Sequence, residues 1–236
     1  MILCSGVIHR WYNFNSISSC YKVASPCSYL YGNLSREKTG WVRSCAINNS
    51  GDVIMAGIEH LILIVPIGPV DIEILTALGS ALSAVFRLPA GKGEMLPIPP
   101  EAYNYRRRQY HSSRILDLLK PLRSPGVYRV LAVIDEDLYV PSLNFVFGEA
   151  DIESGVTIIS LARLRNEIYG YPPDNKLLLE RTVKEAVHEL GHTFGIGHCP
   201  DSQCIMYFSN SLEGTDRKGP SFCHNCRSKL THRSIG

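Results

Sequence analysis

The chain has 236 residues, a formal net charge of +2, 45% hydrophobic residues and 19% charged ones. That length buries a sizeable core, and a composition this apolar excludes an intrinsically disordered chain. The near-neutral balance gives no ground for a nucleic-acid binder. The strongest apolar run, Leu61 to Val70, is too short and too broken by proline to span a bilayer.

Residues 1–54 differ from the rest of the chain. They hold nine Ser and five Asn, with five basic residues against two acidic ones, and show neither a helical nor a strand period. Met1 to Cys20 lacks the unbroken apolar stretch of a signal peptide, so a cytoplasmic location is expected. Cys4, Cys20, Cys27 and Cys45 are irregularly spaced and read as incidental thiols. This segment is expected to be either a loosely ordered extension or sequence upstream of a true start near Met55.

From Met55 the pattern becomes that of an α/β fold. Ile58 to Ile67 reads as a buried strand, and Val70 to Phe86 as a helix with apolar Ile74, Leu75, Leu78, Leu82 and Val85 or Phe86. Pro89 to Pro100 reads as loop with room for one short strand, Gln109 to Leu119 as a helix, and Tyr128 to Ile134 as a buried strand. Asn144 to Phe147 and Val156 to Leu161 read as two more strands, with Gly148 and Gly155 bounding the turn between them. Lys176 to Phe194 is the longest helical pattern. Beyond it periodicity fades, and something other than a large core is needed to order the end.

That last helix carries the chemistry. At about 100° per residue, His188 and His192 lie about 40° apart and reach one ion, while Glu189 points about 100° away from His188. Val183, Ala186, Val187, Leu190 and Phe194 occupy nearly the opposite side, so one face anchors the helix and the other presents ligands. An accidental H-E-x-x-H is expected in on the order of one per cent of such chains, so the neighbours matter. Gly195 can end the helix in a left-handed conformation, and Gly197 leaves the next turn free to bend. His198 can then swing back as a third ligand. Three imidazoles and a water make an open, catalytic type of zinc site. This spacing with a later Met-turn is the metzincin signature, and Met206 is placed to floor the site.

Cys199, Cys204, Cys223 and Cys226 form C-x4-C and C-x2-C pairs able to surround one tetrahedral ion, with His224 as an alternative ligand. Cys199 directly after His198, then Cys204-Ile205-Met206 and the last cysteine pair, resembles the archaemetzincins, a metzincin family with a second zinc site. The strongest similarity runs from Thr182 to Cys226, with weaker similarity back to about Ile58.

The resemblance implies an α/β zincin-like (metzincin) fold: a twisted mixed β-sheet with a backing helix and an active-site helix. It implies residues 55–198 as an N-terminal subdomain and 199–236 as a small zinc-stabilised C-terminal one. It further implies two zinc ions per chain, a catalytic one on His188, His192 and His198 and a structural one on Cys199, Cys204, Cys223 and Cys226. Glu189 would be the general base for zinc-activated water attacking a peptide bond. The partners implied are peptide or protein substrates, with no nucleic acid and no membrane. The natural substrate stays open, as does the oligomeric state, and an aminopeptidase-like preference is one form the activity can take. An extended substrate is expected beside Asn144 to Phe147. Some metzincins use a tyrosine ligand two residues after the methionine; here that position is Phe208, with Tyr207 beside it, so no tyrosine ligand is assigned.

Two other readings start from the same residues. A non-catalytic zinc-binding interaction module would use the same ligands. A nucleic-acid reader would use the basic tail of Arg217, Lys218, Arg227, Lys229 and Arg233, but aromatic residues are nearly absent there. The run Arg106, Arg107 and Arg108 is expected to be a solvated face, or else to favour acidic substrates.

Overall fold

The computed structural model describes residues 60–233, and the backbone of two short strands before them, β1 (Cys45–Ile47) and β2 (Val53–Met55), which pair antiparallel. The expected loose extension and the start near Met55 lie otherwise outside the described residues. Gly57–Gly236 forms one compact unit.

Its centre is a five-stranded mixed sheet. β3 (Leu61–Ile67), β4 (Ala90–Lys92), β7 (Val127–Ile134), β9 (Gly148–Asp151) and β10 (Val156–Ser160) stand in the order β4-β3-β7-β10-β9. All neighbours are parallel except β9, which runs antiparallel to β10 and forms an open edge. A strand buried on both faces must be apolar throughout, and β3 and the Val130–Ile134 half of β7 are. Ile62, Ile64, Leu131, Val133 and Ile159 pack with α1 (Ile72–Phe86) and α3 (Asn175–Thr193) on one face. Val65, Ile67, Val130, Ala132, Ile134 and Ile158 pack with α2 (Ser112–Leu119) on the other. The result is the expected α/β architecture with a helix backing the sheet and a second helix carrying the histidines.

α1 follows its sequence pattern closely. Asp71 caps it by accepting from Glu73 N at 2.8 Å, and Ile74, Leu75, Leu78, Leu82 and Phe86 are the buried positions.

Three local expectations need correction. Gln109–His111 is not helical but a strand, β6, paired with β5 (Tyr103–Asn104) and β8 (Leu138–Tyr139). Tyr110 N donates to Asp137 O at 2.8 Å, a tertiary bond that overrides the helical pattern there. Asn144–Phe147 is not a strand. The carbonyls of Leu143 and Asn144 are taken by side chains of Arg107 and Gln109, which removes them from any ladder. Gly148, expected in a turn, is instead the first residue of β9.

The segment after α3 contains two helices, α4 (Leu212–Arg217) and α5 (His224–Arg233). Its Ile205, Met206, Phe222 and Leu230 join the same apolar cluster as α1 and α3, so the expected C-terminal subdomain shares that core. Charged residues of α3 also hold it. Arg181 makes two 2.7 Å bonds to Asp216, and Lys184 donates to Thr215 O and Asp216 O at 3.1 and 3.0 Å. Lys218, expected in a basic surface, is fully buried and donates to Glu185 at 2.8 Å. A buried ion pair is costly to break because one charge stays behind unpaired. Glu185→Ala should therefore lose about 3–5 kcal/mol of stability, whereas Glu185→Leu with Lys218→Met should lose much less; urea unfolding of both variants checks the contrast.

Candidate functional site

Asp174 starts α3 by accepting from Leu177 N at 2.9 Å, and the helix runs unbroken through His188 and His192. At its end Gly195 adopts φ 75°, Gly195 N donates to His192 O at 2.8 Å and Ile196 N to Gly191 O at 3.1 Å. This is a left-handed helix stop of the kind glycine favours. Arg129 on β7 secures the same end by donating to Thr193 O at 3.0 Å.

The reversal delivers His198 to the other two rings. Donor atoms of His188, His192 and His198 all lie within 4.8 Å of one another. His188 Nδ1 faces Ile205 O at 2.9 Å and His192 Nδ1 faces Ile196 O at 2.9 Å. A carbonyl only accepts, so each Nδ1 carries the hydrogen and each Nε2 keeps a free lone pair. Those two Nε2 atoms stand 3.1 Å apart. Two lone pairs that close call for a cation, and tetrahedral Zn–N bonds of about 2.0–2.1 Å put ligand nitrogens about 3.3 Å apart. Burial is the main cause that lowers all three histidines, His188 to about 3, and keeps the rings neutral as metal ligation needs.

Glu189 is buried under β9. A Cβ on Gly148 would come within 2.6 Å of Glu189 Cγ, so only glycine leaves room for this carboxyl. Burial is the main cause that raises Glu189 to about 8, reinforced by the Glu185 carboxylate and opposed by Lys218. Met206 is fully buried against Gly191, where an added Cβ would meet its Sδ at 2.6 Å. Tyr207 and Phe208 are exposed, and the Phe208 ring lies 5.0 Å from that of His198. The histidines open on a cleft lined also by Phe145, Phe147, Gly148, Glu185 and Phe208. The sequence patterns did not single out Gly148 and Glu185 as parts of the site. Glu185 had a usable signal, since it stands one turn before His188 and Glu189 on the same side of α3.

The Sγ atoms of Cys199, Cys204, Cys223 and Cys226 also lie within 4.8 Å of one another, with Cys199 and Cys223 at 3.8 Å. Thiolates at the corners of a tetrahedron with Zn–S of about 2.3 Å stand about 3.8 Å apart. Burial raises Cys204 and Cys226, whereas backbone hydrogen bonding from Cys226 lowers Cys223. Such a set ionises fully only around a cation, so it suits a metal. His224 is not part of the group. No helix among the described residues is long and apolar enough to cross a membrane.

Comparison with known proteins shows the family. The sequence model of peptidase family M54 matches residues 79–232. The archaemetzincin of Pyrococcus furiosus is 44% identical over 184 residues, covering 74% of this chain and 94% of the relative. Among solved structures, the archaemetzincin of Methanopyrus kandleri has a TM-score of 0.68 at 37% identity, covering 77% of this chain and 98% of that one. A zinc-dependent peptidase from Methanocorpusculum labreanum has a TM-score of 0.67 at 34% identity, covering 72% and 99%. The fold and the similarity define the class as a zinc metallopeptidase. The chain belongs to the archaemetzincins, peptidase family M54.

A dication beside Glu189 must pull its carboxyl back into the ionised form. Since the metal-free carboxyl sits at about 8, it holds its proton at pH 7 and gives it up on metal binding. Zinc titration by calorimetry in buffers of different ionisation enthalpy should show Glu189→Gln releasing about one proton fewer than wild type.

Proposed function

We propose that the chain hydrolyses peptide bonds at the cleft above α3, with His188, His192 and His198 as ligands of a catalytic zinc and Glu189 as general base. The observation that carries this reading is the set of inward-facing imidazole nitrogens with a buried carboxyl next to them in sequence. Zinc, when bound, supplies a Lewis acid that acidifies water and polarises a carbonyl. The Glu189 carboxylate accepts the proton of the attacking water and returns it to the departing amine nitrogen. Met206 supports the ligand helix from below through its contact at Gly191. An extended peptide can pair with the open edge of β9, whose backbone groups on that side have no strand partner among the described residues.

We further assign Cys199, Cys204, Cys223 and Cys226 to a second, structural zinc, making two ions per chain. Its coupling to catalysis is supported by adjacency. His198 precedes Cys199, and Ile205, whose carbonyl orients His188, comes directly after Cys204. Thiolate ligation needs these four cysteines reduced, which supports a cytoplasmic setting.

Glu189→Ala should retain zinc and lower turnover of a quenched peptide library by at least about 100-fold; undiminished turnover in the metal-replete variant would refute the base assignment. Elemental analysis should return two zinc ions per wild-type chain and one for Cys226→Ser. The latter should also be cut faster by trypsin within residues 199–233 and hydrolyse peptides more slowly.

A further inference from the structure

The arginine run 106–108 is not uniformly solvated. Arg106 and Arg108 are exposed, but Arg107 is half-buried and turned inward. The turn between β5 and β6 accounts for this. Asn104 Oδ1 accepts from Arg106 N and Arg107 N at 3.1 and 3.2 Å, Arg108 N donates to Asn104 O at 2.8 Å, and Arg108 takes φ 56°.

From that turn the Arg107 guanidinium crosses to the segment 140–147. Its Nη2 donates to Leu143 O at 2.6 Å and Asn144 O at 2.9 Å, and its Nε donates to Gln109 Oε1 at 2.9 Å. Its plane lies over the Tyr139 ring, 4.3 Å from the centroid. Asn104 Nδ2 in turn holds the Tyr139 hydroxyl at 3.0 Å. Gln109 Nε2 shares Asn144 O at 2.9 Å, whereas Leu143 O is held by Arg107 alone among the described residues.

The segment so held is one rim of the cleft, lined by Leu143, Phe145 and Phe147, and it leads directly into β9. It forms no strand of its own, and its few backbone bonds include Leu143 N to Val140 O and Val146 N to Leu138 O, both at 3.0 Å. A rim this poor in ladder bonds needs side-chain donors to keep one shape. On the opposite wall His188 and His192 stand on α3, whose backbone is held by its own helical bonds.

We propose that Arg107 is a positioning residue for substrate: by gripping the carbonyls of Leu143 and Asn144 it holds the rim in the conformation that receives the peptide chain beside the zinc ligands. This rests on the peptidase reading above, and the test separates the two. Two hydroxamates serve as probes, a tripeptidyl hydroxamate that needs both the metal and the rim, and acetohydroxamate that needs the metal only. In zinc-loaded Arg107→Ala the Kd of the tripeptidyl compound should rise about tenfold, that of acetohydroxamate should stay within about twofold, and zinc content should be unchanged. Arg107→Lys keeps the charge but loses the planar fork, so it should fall between the two. Backbone amides of residues 142–147 should also exchange faster in Arg107→Ala than in wild type.

Equal loss for both probes would mean general damage to the site and would overturn the inference. So would unchanged affinity for the tripeptidyl compound, or a wild-type protein that binds it no better than acetohydroxamate. If wild type instead binds neither probe while fully loaded with zinc, the catalytic-zinc reading fails with it.

Discussion

A histidine ring can hold a cation only when one nitrogen is turned inward with its lone pair free, and some acceptor must then take the hydrogen on the other. Here backbone carbonyls do this for the two helical histidines, Ile205 O for His188 and Ile196 O for His192. Each carbonyl comes from chain beyond the helix, so the rings are set only once that chain has folded back. The helix stop at Gly195 supplies one carbonyl, and the turn through Met206 supplies the other. Helix, stop and turn thus form one unit whose geometry is judged at a single point in space.

The same backbone ties the two ligand groups together. Cys199 N donates to Met206 O at 2.9 Å, so the strand-like piece after His198 lies beside the piece that passes under α3. Cys204 and Cys223 meet across these pieces, with Cys223 N donating to Cys204 Sγ at 3.3 Å. Closing the thiolate group fixes two segments that also bear on the imidazoles. A short chain end that has only part of a core gains order from such a closure, since metal binding and folding share one free energy.

Charge burial below the cleft obeys a different logic from charge on its rim. Glu185 and Lys218 neutralise each other in the interior beside the histidines, and Arg181 with Asp216 does so one helical turn away. These pairs dock the C-terminal segment on α3 with their charges neutralised beside the histidines. On the rim, arginines act as hydrogen-bond forks instead. Arg107 holds two carbonyls, and Arg163 pairs with Asp137 while lying 4.4 Å from the Phe145 ring centroid. The guanidinium geometry, rather than the charge alone, gives these rim contacts their direction.

Much of this was legible locally. α1 and α3 follow a helical period, and β3 and β7 are marked by apolar runs, all signals carried within each segment itself. His188 and His192 one helical turn apart, with Gly195 just beyond them, need only helix geometry to be understood. The cysteine pairs likewise announce a metal by spacing. What stayed hidden depends on partners far along the chain. Asn144 to Phe147 has strand-forming residues, yet a guanidinium some 36 residues away claims the carbonyls a ladder would use. Lys218 looks like surface charge until Glu185, 33 residues earlier, is found beneath it. Gly148 matters only because Glu189 lies against it, which no turn or strand preference can reveal. Sequence by itself determined the candidate ligands and the elements that carry them, because both depend on short-range spacing. Tertiary structure alone decided which nitrogen of each ring faces inward, which charges are buried and how the cleft is walled, because those depend on groups brought together only by folding.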